Sequence, residues 1–309
     1  MRKIIITGGA GLIGQNLVAL LSKRKDQEIV VLDKHSANIA ALSSRHPEIT
    51  TLNVDLSVYG DWVEYFRDTD VVVIAHAEIG TSDPSAFYRN NVLATENVLQ
   101  ASQQHSVRYY VHLSSSVVDS VADDQYIETK LRQEQLVVSS RVNCVVLRPT
   151  LMYGWFDRKH LGWLSRFMRK SPLFPIPGNG AFIRQPLYAG DFCKIVVGCI
   201  DNNIVGTYKI TGLEKIKYID LIRLIKKTIN SKTVILKVPY FLFFSLLKIW
   251  SAFDKNPPFT VDQLRALVTP DEFEVIDWPS IFSVEPTSLE KGIKATFTDP
   301  VYSKIVLDF

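Results

Sequence analysis

Along the first two-thirds of the chain, short apolar, β-branched runs alternate with stretches whose apolar positions recur at spacings of three and four. Apolar runs of this length make strands and the 3.6-residue period makes helices, so the alternation predicts an α/β protein with a doubly wound parallel sheet. Seven runs read as strands, at 3–7, 28–33, 50–53, 70–76, 108–113, 143–148 and 207–211. Most are apolar throughout, as strands covered on both faces by helices should be. The clearest helices fall at 15–24, 87–104, 126–138 and 191–199. After Gly154 the pattern changes. Pro172, Pro175 and Pro177 with Gly178 and Gly180 mark a loop-rich stretch, and helical spacing resumes at 219–229, 240–253 and 261–267. Residues 1–154 are therefore expected to form the sheet domain and 155–309 a smaller second domain, with 191–211 returning to the sheet.

Composition narrows the class without naming it. The chain has 309 residues, 47% hydrophobic and 22% charged, with a formal net charge of +3, enough apolar material for a full core and too little charge to hold the chain open. The densest basic cluster, Arg166, Arg169 and Lys170, is a local patch on an apolar helix pattern rather than a nucleic-acid face. Cys144, Cys193 and Cys199 show no paired metal-ligand spacing and are odd in number, which argues against zinc or a disulfide framework and for a reducing, cytoplasmic setting. The apolar run Ile4-Ile5-Ile6 stops at Thr7-Gly8-Gly9, too short for a secretory signal. The stretch 238–253, around Tyr240-Phe241-Leu242-Phe243-Phe244, is interrupted by Lys248 and falls short of the roughly 20 apolar residues that span a bilayer. A buried or interfacial helix is expected there.

The first chemistry-bearing motif follows the first strand: Thr7-Gly8-Gly9-Ala10-Gly11-Leu12-Ile13-Gly14, running straight into a helix. Gly8 makes the turn tight, Gly11 keeps a Cβ out of the path of a pyrophosphate, and Gly14 lets helix and strand pack closely. The backbone around Leu12 and Ile13 meanwhile opens a helix whose N-terminus favours an anion. Asp33 ends the second strand, where a carboxylate accepts hydrogen bonds from both ribose hydroxyls of a dinucleotide and repels a 2′-phosphate. NAD is favoured, and Lys34 and His35 beside Asp33 keep NADP open. Asp55, after the third strand, has two readings, a bond to the adenine edge or a local helix N-terminal acid.

The glycine spacing, Asp33, the Asp55-Leu56 pair, Asn90-Asn91-Val92 opening a helical run and Ser114-Ser115-Ser116 after the fifth strand together resemble the extended short-chain dehydrogenase/reductase superfamily. More narrowly, the chain resembles the NAD-dependent epimerase/dehydratase family that acts on nucleotide sugars, with a Rossmann-like sheet. The decisive match is Tyr126-Ile127-Glu128-Thr129-Lys130. Tyr and Lys four apart share a helix face, so the ammonium can approach the phenol and lower a pKa that is about 10 unperturbed. The resemblance implies that Tyr126 moves the proton at a sugar hydroxyl or ketone, that Lys130 holds the nicotinamide ribose and that Ser116 bonds the same sugar oxygen, with Ser115 and Ser114 as alternatives. Asn91 either braces the site or caps its helix. Pro149, in Leu147-Arg148-Pro149-Thr150, resembles the segment passing under the nicotinamide. Arg184, after Gly178-Asn179-Gly180, resembles the arginine that grips a substrate diphosphate, a surface salt bridge being its alternative.

Two departures stand out. His76 and Glu78 lie in Val73-Ile74-Ala75-His76-Ala77-Glu78, where the family usually has its histidine earlier and an Ala-Ala pair after it. Ser116 and Tyr126 are also ten residues apart instead of the family's twenty or more, so a sugar pocket more open on that side is expected. The leading expectation is a 4-epimerase of a UDP-hexose or UDP-N-acetylhexosamine, serving polysaccharide synthesis as a homodimer. A 4-keto-sugar reductase, a sterol-type alcohol dehydrogenase and a non-catalytic dinucleotide scaffold are the alternatives.

Overall fold

A computed structural model describes residues 1–81, 83–119, 124–253, 261–269 and 272–308. Six strands, β1 (Arg2–Thr7), β2 (Gln27–Asp33), β3 (Thr50–Asn53), β4 (Val71–Ile74), β5 (Tyr109–Leu113) and β6 (Asn143–Pro149), are joined by the strand Gly206–Ile210. They form one parallel seven-stranded sheet in the order β3-β2-β1-β4-β5-β6-(206–210). Alternation along each strand explains why both faces are covered. In β1, Ile4 and Ile6 point into one apolar cluster with the helices Leu12–Leu21 and Ala189–Asn202. Ile5 points the other way, to Trp62, Phe66, Val98 and Val137. All three isoleucines are fully buried, which is why these strands read as continuous apolar runs.

Strand order reverses between β1 and β4. At such a switch point the connections leave in opposite directions and open a crevice beyond the strand ends, the preferred ligand site of open α/β sheets. The glycine loop follows β1 and His76 follows β4, so both stand at this crevice.

One expected element is broken. The run 87–104 reads as a single helix but forms a short helix, Pro84–Phe87, then a π turn, Tyr88–Leu93, then the helix Ala94–Gln104. The wide turn contains the fully buried Asn91, whose amide is committed to neighbours outside the helix. Widened turns of this kind gather at functional sites. Beyond residue 150, the helices Leu161–Lys170, Tyr218–Thr228 and Leu289–Thr298 pack around Tyr153, Phe174 and Ile222. The strands Leu173–Pro177 and Val234–Val238 pair beside them.

Candidate active site

The glycines divide the work as their surroundings dictate. Gly8 has φ +65°, and a Cβ there would lie 2.5 Å from the His76 Cα, so the turn admits no side chain. A Cβ on Gly14 would stand 2.3 Å from the Gly9 Cα, which fixes the helix Leu12–Leu21 tightly against the loop. A Cβ on Gly11 would meet only the Gly8 carbonyl, at 3.3 Å, and otherwise project into open space above the loop. That is the cradle a pyrophosphate needs, and the helix N-terminus carries no side-chain cap to compete for its backbone N–H groups. The residues present therefore fit a dinucleotide.

Asp33 is buried at the end of β2, and its carboxylate is busier than the sequence suggests. Oδ2 accepts the Ala10 N–H at 3.0 Å, while Oδ1 accepts the His35 N–H at 3.0 Å and lies 3.1 Å from His35 Nδ1. Three of its roughly four acceptor positions are engaged within the chain. One position stays open at Oδ2, and a grip on both ribose hydroxyls needs the His35 ring to turn away. Asp33 thus also ties the glycine loop to β2. Asp55 is exposed and closes a turn, accepting from the Ser57 N–H at 2.9 Å and hydroxyl at 2.7 Å. Burial pushes its carboxyl up, but the Ser57 bonds, with Lys34 and Arg89 nearby, outweigh this and hold it below the usual value. No helix opens at Asp55, whose carboxylate faces solvent. Leu56 is buried, and its carbonyl accepts from Asn97 Nδ2 at 2.8 Å.

Under the loop lies a buried polar chain that sequence reasoning missed. The His76 ring sits between Thr7 Oγ1, 2.8 Å from Nδ1, and Thr95 Oγ1, 2.9 Å from Nε2. Burial, with Lys130 nearby, drives His76 down to about 3, so it is neutral. Gln133 donates to Thr95 Oγ1 at 2.9 Å and to the His76 carbonyl at 3.2 Å, and its Oε1 accepts from Lys130 Nζ at 2.6 Å. Lys130 is 1% exposed and also donates to the Leu113 carbonyl at 3.0 Å. Burial pushes its amine from 10.5 down to about 7, against the pull of Glu134. Asn91, in the π turn and not at an N-cap, accepts the Glu78 N–H at 2.6 Å and donates to Thr129 Oγ1 at 3.0 Å. The Glu78 carboxylate accepts from Asn90 at 2.9 Å. The signal for Gln133 was its place three residues after Lys130, on the same helix face.

The three serines separate cleanly. Ser114 is committed to Glu134, donating to Oε2 at 2.7 Å, and Glu134 in turn is ion-paired with Arg148. Ser116 opens the 3₁₀ turn Ser116–Asp119. Ser115 is the one whose hydroxyl acts on the Tyr126 phenol, pulling its pKa down. Ser115, one of the two alternatives to Ser116, is thus the serine nearest in effect to the phenol, while the chain turns immediately after β5 and takes Ser116 into the first position of that turn. The expected lowering of the Tyr126 phenol is corrected. Burial raises its pKa, Ser115 pulls it partway back, and Asp124 raises it further. Lys130 is turned toward Leu113 and Gln133 instead. Tyr126 stands near the start of the helix Gln125–Ser139, capped by Asp124, with its ring 6.4 Å from that of Phe87. Residues 120–123, which complete the short connection from Ser116 to Tyr126, lie outside the described residues, so the more open pocket expected there falls partly on them.

Pro149 ends β6 in register with Ile210. Part of the Arg184 guanidinium is already committed within the chain. The residue is 7% exposed, donates to the Thr269 carbonyl at 2.9 Å and lies 5.3 Å above the Phe182 ring. A cavity of about 240 Å³ lies in the C-terminal half between Tyr153, Tyr188, Glu214 and Trp278, sharing no residue with the glycine loop or with Tyr126. Among the described residues, no three potential metal ligands come together.

A glycine cradle at a sheet switch point, an acid ending β2, and a Tyr and buried Lys one helical turn apart define a dinucleotide-binding protein of the extended short-chain dehydrogenase/reductase type. Comparison with known proteins agrees: the profile of the NAD dependent epimerase/dehydratase family matches residues 4–210, and the chain belongs to this family of NAD-dependent enzymes. It is similar to UDP-glucose 4-epimerase of Vibrio cholerae, 21% identical over 96% of this chain and 94% of that protein. A second relative, dTDP-glucose 4,6-dehydratase of Neisseria meningitidis, is 24% identical over 73% of this chain and 75% of that protein. The crystal structure of UDP-glucuronic acid 4-epimerase from Bacillus cereus in complex with NAD superposes with a TM-score of 0.77 at 21% identity, covering 96% of this chain and 98% of that one. At these identities the structural likeness establishes the fold.

Proposed function

We propose that the chain is a nucleotide-sugar 4-epimerase, inverting C4 of a UDP-linked hexose or N-acetylhexosamine through a transient 4-keto sugar. The observation that carries this reading is Tyr126 on the helix that also buries Lys130, with the Ser115 hydroxyl at the end of β5 acting on its phenol. Both similar 4-epimerases named above support it. Bound NAD supplies the hydride acceptor and, on return, the donor at C4. Tyr126 takes the C4 hydroxyl proton as that carbon is oxidised and gives it back after the keto sugar has turned. Ser115 hydrogen-bonds the same oxygen and fixes the phenol's rotamer. Lys130 anchors the ribose side through an amine braced by Gln133 and Leu113. Arg184, tethered by Thr269, serves the second domain's wall of the substrate cleft. A homodimer through the helices Ala94–Gln104 and Gln125–Ser139 is the expected assembly, and the outward Leu131 and Val138 support it.

The test is the purified chain incubated with UDP-glucose, UDP-N-acetylglucosamine and UDP-glucuronic acid, with and without added NAD, C4 inversion being read by NMR. Inversion without net NADH is expected, and Tyr126→Phe should abolish it while NAD binding persists. Stoichiometric consumption of NADH with a 4-keto sugar, and no inversion, would move the assignment to a reductase. Failure to bind NAD would overturn the reading altogether.

A further inference from the structure

The helix Tyr240–Phe253 has the composition of a core element and the exposure of a surface one. Phe241 is 72% and Phe253 87% exposed, and Leu242, Leu246, Ile249 and Trp250 are exposed as well. At 100° per residue these six side chains fall on one arc of roughly half the helix circumference, running its whole length of about 21 Å. Phe243, Phe244 and Leu247 occupy the opposite side and are half-buried. The polar residue inside the exposed arc, Ser245, donates its hydroxyl to the Phe241 carbonyl at 2.8 Å, so the arc satisfies its own hydrogen bond without water. On the preceding strand, Val234–Val238, Val234 and Leu236 are exposed as well.

Charge identifies the occupant. Residues 216–253 contain seven Lys and Arg against a single acid, Asp220, in a chain whose formal net charge is only +3. Lys232 and Lys237 flank the exposed strand, and Arg223, Lys226 and Lys227 line a shallow cavity of about 420 Å³ that reaches Val234. Lys248 lies at the rim of the arc, where a lysine can lay its stem along apolar surface and keep its ammonium at a polar boundary. We propose that this face docks the protein on an anionic membrane surface, the helix lying in the headgroup plane with Phe241, Leu246, Ile249 and Phe253 in the acyl layer and the flanking cations among lipid phosphates. No described helix is long and apolar enough to cross a membrane, so the contact lies on the bilayer instead of spanning it. A second copy of the chain fits less well. A two-fold interface here would bring the same cationic rim against itself.

The experiment is co-flotation of the full chain with phosphatidylcholine vesicles, with and without phosphatidylglycerol. The protein should float with the anionic vesicles, stay behind with the neutral ones, and be released by high salt, which screens the headgroup attraction. Ile249→Glu combined with Phe253→Glu should lower partitioning by about tenfold or more, and Lys226→Glu with Lys227→Glu should remove the lipid selectivity. These are surface positions, so melting temperature and NAD binding should match the unaltered chain and exclude unfolding as the cause. No flotation with either vesicle would overturn the proposal. So would a dimer in sedimentation that the Ile249→Glu, Phe253→Glu variant converts to monomer without any flotation, which would assign the face to a copy-to-copy contact.

Discussion

Replacing Lys130 with Met exposes the cost of keeping an amine in the core. The side chain is 1% exposed, and its amine is pushed from 10.5 to about 7, chiefly by burial. Unfolding restores the ordinary value, so between pH 7 and 10.5 the unfolded chain binds one proton more than the folded one. Stability therefore rises with pH through that window by roughly 1.4 kcal/mol per unit. Below it the full penalty, on the order of 5 kcal/mol, is present. Met carries no such penalty, but it leaves the Gln133 Oε1 and Leu113 carbonyl without their donor, which costs about 1–3 kcal/mol. The Met variant should thus be the more stable protein by about 2–4 kcal/mol near pH 6 and the less stable by up to about 2 kcal/mol near pH 10. Urea unfolding of both proteins across this range measures it, since other titrating groups, such as Cys199 pushed up to about 12 by burial, cancel in the difference. Turnover should be absent from the variant at every pH. A stability difference that stays flat with pH would show that Lys130 titrates as a solvated lysine, and the account of a buried, desolvated amine would fail.

Gly11→Ala and Gly14→Ala should part company. The added methyl meets only the Gly8 carbonyl, at 3.3 Å, at the first and the Gly9 backbone, at 2.3 Å, at the second, so calorimetry should find Gly11→Ala weakened for NAD with its melting temperature little changed and Gly14→Ala destabilised outright. Ser115→Ala should lower kcat by tenfold or more, about the worth of one hydrogen bond to a developing charge, whereas Ser116→Ala should stay near the unaltered rate; equal effects would return the assignment to the strand register. Asp33→Asn keeps an acceptor for the Ala10 N–H but loses its charge, so titration should show NAD weakened and its margin over NADP narrowed. An unchanged preference would mean that Asp33 serves only to tie down the loop.

Much of the sheet was legible because a strand buried on both faces has no freedom in composition. Ile4, Ile5 and Ile6 or Val71, Val72 and Val73 could be little else, and the glycines of the loop were readable because each occupies a position where a Cβ would collide with backbone or fill the cradle. What the sequence hid was direction. Three consecutive serines at a strand end differ only in where the following turn sends them, and that turn depends on Glu134 and Arg148, which are distant in sequence. Tyr126 and Lys130 share a helix face, yet spacing does not say that Lys130 will find Gln133 and Leu113 before it finds the phenol. Nothing in the segment of Arg184 announces Thr269, eighty-five residues on, whose carbonyl takes one of its donors.

The displaced histidine makes sense only once these directions are known. His76 follows β4 directly beneath Gly8, so close that its backbone excludes a side chain on the loop above, and its ring must be buried between β1 and the helix Ala94–Gln104. An apolar residue there would cost Thr7 and Thr95 the bond each makes to the ring, leaving Thr7 with Val73 and Ala75 and Thr95 with Asn91 and Gln133. The neutral imidazole meets both, and Gln133, bonded to Thr95 and to the His76 carbonyl, presents its oxygen to Lys130. The floor of the cofactor loop and the amine of the site are thus parts of one hydrogen-bonded chain, in which each member satisfies a buried group of the next. His76→Leu should therefore act at a distance, loosening Gln133 and shifting the pH dependence of the Lys130 site, while leaving Tyr126 and Ser115 in place. A His76→Leu variant with an unchanged pH profile would mean that the chain ends at Thr95 and that Gln133 holds Lys130 unaided.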